Sequence, residues 1–155
     1  MNKYFLIVLI LMISTTTLAK DSILNLQEFA ENYFDKMVAS QAPKATEKEL
    51  EAYLSLLADD IGHSHLPYVT DDSRLPDGKQ KMRKGMTFYL GLHTEYRAEL
   101  LDIFAFNDSA VAIRYKNSAK GIHPQTKKAI SYSQTMMEVL EMENGKVAVI
   151  RKYHE

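Results

Sequence analysis

A chain of 155 residues with 46% apolar and 25% charged side chains is a single globular domain, long enough to bury a core and too apolar to stay disordered. Cysteine is absent, which excludes disulfide frameworks, thiol catalysis, thiolate metal sites and a cysteine-borne lipid anchor. The 19 basic and 20 acidic side chains leave a net charge of −1, which argues against nucleic acid as a partner, since its binders concentrate positive charge.

Asn2 and Lys3 make a short cationic start, Tyr4 to Ile13 is an unbroken apolar run, and Ser14 to Ala19 is small and polar. That layout predicts a secretory signal peptide over residues 1–19, cleaved after Ala19. The apolar run falls short of the ~20 residues a spanning helix needs, so a membrane anchor is the weaker reading. Residues 20–155 are then an exported, periplasmic or secreted domain with no membrane association after cleavage.

Asn25 predicts an N-cap, and Leu26, Phe29, Ala30, Tyr33, Phe34, Met37 and Val38 follow at the spacing of one helical face. Pro43 stops this helix. Thr46 and Glu49 form a capping-box pattern for a second helix, with Leu50, Tyr53, Leu54 and Leu57 on its buried side. Leu54 to Tyr68 turns the chain from helix to sheet: Asp59-Asp60 end the helix, and His63, His65 and Tyr68 crowd against Pro67. Thr70 to Gly78 is a polar loop, long enough to form a lip over a pocket. Lys79 to Leu92 predicts a third helix whose first turns carry Lys79, Lys81, Arg83 and Lys84, an unfavourable charge for a helix start.

From Tyr96 the periodicity becomes two. Strands are predicted over Tyr96 to Phe106, Ala110 to Asn117, Ala129 to Glu143 and Val147 to Tyr153. Asn107-Asp108 and Asn144-Gly145 are the turns, and Ser118 to Lys128 is a loop. Three helices followed by long antiparallel strands predict an α+β fold in which a curved sheet closes over its helices.

The helix pair ending in Leu56 to Ile61, the short strand into Pro67, Gly78 opening the third helix, the three long strands and the ending Asn144 to Glu155 come in a distinctive order. In that order the chain resembles the nuclear transport factor 2-like superfamily, in its SnoaL-like branch, from about Leu26 to Glu155. The resemblance implies a cone-shaped α+β barrel, an apolar cavity between sheet and helices, and homodimers packed through the sheet. Its members include ketosteroid isomerases, polyketide cyclases, dehydratases, epoxide hydrolases and non-catalytic binding domains. In the isomerases the catalytic aspartate precedes the proline that matches Pro67; here Leu66 stands there and cannot take a proton. The late acid of the cyclases has its nearest counterpart in Glu155.

His63 and His65 share one face of a strand, as an acid–base pair or two metal ligands would. A metal would need a further ligand from Asp59, Asp60, His93 or His154, and no motif supports one, so neither metal nor cofactor is expected. Tyr68, Tyr89, Tyr132 and Tyr153 combine apolar area with one polar tip, as do Tyr33 and Tyr53 on the helices; each also suits plain core packing. Arg114 stands mid-strand, paired with Glu138 or Glu99 or else holding a ligand carboxylate. Met136 suits an adaptable wall. The expected function is an exported domain that binds a small apolar or aromatic molecule through Tyr33, Tyr53, His63, Tyr89, Arg114, Met136 and Tyr153. The alternative is a cofactor-free isomerase, cyclase, dehydratase or hydrolase with His65 as acid–base and Tyr68 or Tyr132 as donor.

Overall fold

A computed structural model describes residues 25–155. The predicted signal peptide and its cleavage site lie outside the described residues. Helix α1 covers residues 25–41, so Asn25 is already helical and does not cap it. It presents Leu26, Ala30, Tyr33, Phe34 and Met37 to the core at the predicted spacing. Helix α2, Glu47–Leu54, starts at the predicted capping box: Thr46 Oγ1 accepts from the Lys48 N–H, and the Glu49 carboxylate accepts from the Thr46 N–H at 2.8 Å.

The chain leaves α2 sooner than its apolar spacing suggested. Ser55 caps the helix, and strand β1 runs over Leu57–Leu66, so Asp59 and Asp60 lie in a strand and do not end the helix. Leu57 is still fully buried, because an apolar residue at this junction serves either geometry. Helix α3, Gly78–Tyr89, opens at the predicted glycine. A Cβ there would stand 2.4 Å from the Ile61 carbonyl oxygen, so the helix start can lie this close to β1 only with glycine. The cationic first turns are balanced by partners: Lys79 by Asp59, Lys81 by Asp77 and Arg83 by Glu51.

Four further strands follow: β2 (His93–Phe106), β3 (Ala110–Ile122), β4 (Ala129–Glu143) and β5 (Lys146–His154). They pair as the predicted antiparallel meander, and β1 adds to β5 in parallel, giving the order β1-β5-β4-β3-β2. Residues 118–122, read as loop, continue β3, with Gly121 admitting the Leu92 carbonyl where a Cβ would stand 2.5 Å from its oxygen. Irregularities in the β1, β2 and β4–β5 pairings bend the strands, which is how the sheet curls around the helices. The core between sheet and helices is Tyr33, Leu50, Leu54, Leu57, Ile113, Leu140 and Ile150, with neighbours of the same kind. Among the described residues no helix is long and apolar enough to cross a membrane.

The Thr70–Gly78 loop is not a lip over the cavity. It crosses the outer side of β1, where the Asp72 carbonyl fills the space a Gly62 side chain would need. It is pinned there by the Asp72–Arg151 and Arg74–Asp60 ion pairs.

Candidate binding cavity

Strand alternation decides what the cavity sees. On the concave face β1 presents His63 and His65, β5 presents Ile150, Lys152 and His154, and β4 presents Tyr132, Gln134, Met136 and Glu138. Register brings Lys152 beside both His65 and Glu138, Met136 beside Tyr115, and Gln134 beside Asn117. Helices supply the opposite wall through Met37, Gln41, Tyr53, Met82 and Met86.

Two adjoining lobes result. The inner lobe, about 270 Å³, lies over His63, His65, Tyr96, Tyr115, Asn117 and Lys152. The outer lobe, about 470 Å³, is more apolar, with Leu50, Tyr89, Leu90, Leu92 and Ile130 around it. Gln41, His63, Met82, Met86 and Tyr132 border both. These sizes suit a small-molecule site.

The inner lobe is built on a buried polar network. Glu138, with no exposed surface, accepts from the Tyr115 hydroxyl at 2.6 Å and the Tyr33 hydroxyl at 2.8 Å, and pairs with the Lys152 ammonium at 2.9 Å. Tyr53 joins through the Tyr33 hydroxyl at 2.9 Å. Burial opposes charge on Glu138, but Lys152 and the hydrogen bonds from Tyr115, Lys152 and Tyr33 outweigh it and hold the carboxyl below its usual range. Burial likewise opposes the Lys152 charge, and Glu138 outweighs it, so the ammonium is held more tightly than in water. Burial first, then the Glu138 charge, pushes the Tyr33 and Tyr115 hydroxyls well up. Tyr53 is pushed up to about 12, chiefly by burial. All three phenols therefore stay protonated, and the network is an ion pair ringed by neutral donors.

The histidines stand in the opposite condition. Burial, followed by the charge of Lys152, lowers His63 to about 3 and His65 to about 4. Both imidazoles are neutral at pH 7. Their rings meet edge to face at 4.5 Å, and His65 Nδ1 lies 3.4 Å from His154 Nε2. Asp59 and Asp60 do not reach His65; they pair with Lys79 and Arg74 on the surface. His93, considered above only as a metal ligand, ties α1 to β4 through the Gln41 carbonyl at 2.8 Å and the Tyr132 hydroxyl at 3.3 Å. Among the described residues no three histidine or acidic side chains are arranged to hold a metal ion.

Of the residues singled out from sequence, His63, His65, Tyr53, Tyr132 and Met136 line the cavity. Tyr89 stands at the outer lobe. Tyr33 lies beneath, in the network. Tyr68 is 78% exposed and reaches only the edge of the His154 ring, so it is no donor inside the cavity. Tyr153 alternates with Lys152 and His154 and faces outward. Arg114 also faces outward and binds neither Glu138 nor a cavity ligand: its guanidinium meets Glu155 at 2.8 Å and Asp102 at 3.6 Å. Among the members of the site not anticipated are Lys152, Asn117 and the central place of Glu138. One signal was present, since Glu138 alternates between the apolar Met136 and Leu140, where a buried acid needs a cation.

No family model and no curated protein matches the chain. Solved structures do. A candidate polyketide cyclase from Xanthomonas campestris pv. campestris superposes with a TM-score of 0.63 at 14% identity, over 86% of this chain and 93% of that one. An LEH-like epoxide hydrolase from M. tuberculosis gives 0.60 at 14% identity, over 88% and 84%. An NTF2-like protein from Anabaena variabilis gives 0.59 at 18% identity, over 87% and 90%. At such identities the likeness speaks for the fold alone. Three helices held inside a five-stranded, strongly curved sheet, shared with these proteins across nearly their whole length, make this chain a cone-shaped nuclear transport factor 2-like α+β fold.

Proposed function

We propose that the chain is an exported domain that binds a small, largely apolar or aromatic molecule in the two-lobed cavity. The observation that carries this reading is the cavity itself, with methionine and tyrosine walls and only a few polar groups converging on its inner end. N-phenyl-1-naphthylamine, a neutral aromatic dye that brightens in apolar surroundings, tests it. One equivalent should bind per chain, and Met86→Trp, which fills the wall common to both lobes, should abolish binding. Dye binding that ignores this substitution overturns the reading. Export rests on residues 1–19, and a mature protein beginning at Lys20 is the expected mass. Phe104 and Phe106, exposed on the outer face of β2, support a homodimer, which a monomer in sedimentation at high concentration would remove.

A second reading is acid–base catalysis, and one observation favours it. His65 is held neutral beside a lysine ammonium, the form in which it can accept a proton while the ammonium polarises a carbonyl. A rate carried by His65 should fall as pH drops towards about 4, where the imidazole charges, and not around neutrality as unperturbed histidine would give. His65→Gln should abolish turnover yet keep dye binding; turnover that survives in His65→Gln excludes this mechanism.

A further inference from the structure

The outer lobe opens between two stretches of chain that carry no acid. Residues 78–94 and 109–137 contain neither aspartate nor glutamate, although the chain as a whole has a net charge of −1. The first stretch supplies α3 and the turn after it; the second supplies β3, the turn after it and the first half of β4. They meet at the mouth. The Ile122 N–H donates to the Leu92 carbonyl at 3.2 Å, and the Tyr89 ring stands edge to face with His123 at 6.0 Å. Tyr89 and Leu92 line the lobe itself.

Apolar side chains project around this mouth: Phe88, Tyr89 and Ile122 are 44%, 48% and 47% exposed. Phe88 shares a helical face with Lys81, Lys84 and Gly85, and the surface above Gly85 is open, with nothing within 4 Å of where a Cβ would stand. Acids from elsewhere reach Lys79, Lys81, Arg83 and Lys120. Lys84, Lys127 and Lys128 are exposed and have no carboxylate partner among the described residues. The turn that holds Lys127 and Lys128 folds back on His123 through backbone hydrogen bonds from both, so these lysines stem from beside the Tyr89 contact.

Apolar side chains interleaved with unpaired lysines, and free of acids, suit a surface that lies on anionic lipid. The rings enter the headgroup layer, while the lysine stems follow them and keep each ammonium near the phosphates. A protein-binding patch is instead depleted of lysine. We propose that the rim of the outer lobe docks on an anionic lipid surface, so that the cavity opens onto the bilayer. The contact is peripheral, through the folded domain, and replaces the expected lack of membrane association after cleavage. Docking needs no occupied cavity; passage of an apolar ligand from lipid into the lobe rests on the binding function proposed above.

Sedimentation with sucrose-loaded vesicles tests it. The protein should bind vesicles of phosphatidylglycerol and phosphatidylcholine in equal parts far more tightly than pure phosphatidylcholine, and added salt should weaken that binding. Each lysine near such a surface is worth about fivefold in affinity, so Lys84→Gln/Lys127→Gln/Lys128→Gln should weaken binding about a hundredfold, while Lys116→Gln, on the outer sheet face, should weaken it less than about twofold. The chain has no tryptophan, so Phe88→Trp gives a single reporter. Its emission should move to the blue on the acidic vesicles and be quenched by lipid brominated along its acyl chains; that of Phe104→Trp, on the outer face of β2, should do neither. Without lipid, all these variants should keep N-phenyl-1-naphthylamine binding, since none of the changed residues lines the cavity. Protein that stays in solution beside acidic vesicles overturns the docking and leaves an acidic protein as the partner for this rim. Vesicle binding that ignores the three lysines, or Phe88→Trp emission that ignores the lipid, puts the contact elsewhere and overturns it too. Vesicle binding without dye binding overturns the cavity's function and leaves the docking standing.

Discussion

Lys152 and Glu138 meet inside the cone, and Arg114 and Glu155 meet on its outer surface, in the same part of the sheet. The inner pair is 15% and 0% exposed by side chain, the outer 43% and 49%. Chemically both are a cation and a carboxylate in contact. Outside, water solvates each partner whether or not they meet, so the pair contributes little. Inside, the carboxylate has no water to fall back on and the ammonium little; Glu138 is tolerated because Lys152, Tyr33 and Tyr115 surround it, and Lys152 because Glu138 balances its charge. The inner pair is therefore a constraint on the fold that also leaves an ammonium facing a cavity.

The largest expected effect comes from breaking the inner pair. Lys152→Met should lower unfolding free energy in urea by about 3–5 kcal/mol, because it strands a buried carboxylate. Lys152→Met/Glu138→Gln should lose clearly less than the single variant. A single variant as stable as wild type would mean that Glu138 sheds its charge easily, against the balance described here.

A smaller effect should appear with pH. His63 and His65 have folded values of about 3 and about 4, below the usual 6.5, so between pH 6.5 and 4 the unfolded chain takes up protons that the folded one refuses. Stability should be full above pH 6.5 and decline as pH falls through that window. Glu138 adds its own loss below about pH 4.5, since its carboxyl is held below the usual range. Urea midpoints of His63→Gln should decline less between pH 6.5 and 4 than those of wild type; identical slopes would take His63 out of the account.

The smallest effect belongs to the outer pair. Arg114→Ala should leave the urea midpoint unchanged and dye binding intact, as its guanidinium points away from the cavity. A marked loss of stability would erase the distinction between the two faces.

Much of the fold was legible in the sequence because local chemistry and tertiary packing agree there. The stripe from Leu26 to Val38, the Thr46–Glu49 box, the Asn144-Gly145 turn and the period-two strands each specify an element through neighbours a few residues away. Even the misread junction at Ser55 to Asp60 kept Leu57 in the core, since burial is what that residue encodes. The site was only partly legible. His63 and His65 fall on one face by alternation alone, and that survives; Arg114 and Tyr153 took the wrong side because alternation gives two faces without saying which is concave.

By itself, then, the sequence determined the class of each element, the polar start of α2, the glycine that opens α3 and the pairing of His63 with His65 on one face. These depend on backbone propensity, capping and a period of two, all written within a short stretch of chain. Tertiary structure decided the rest. The parallel pairing of β1 with β5 joins residues nearly ninety positions apart, and it brings His65 beside Lys152 in the cavity. Which face of the sheet is concave depends on bulges and on where α1 lies. That choice makes one ion pair the floor of a cavity and leaves the other in water.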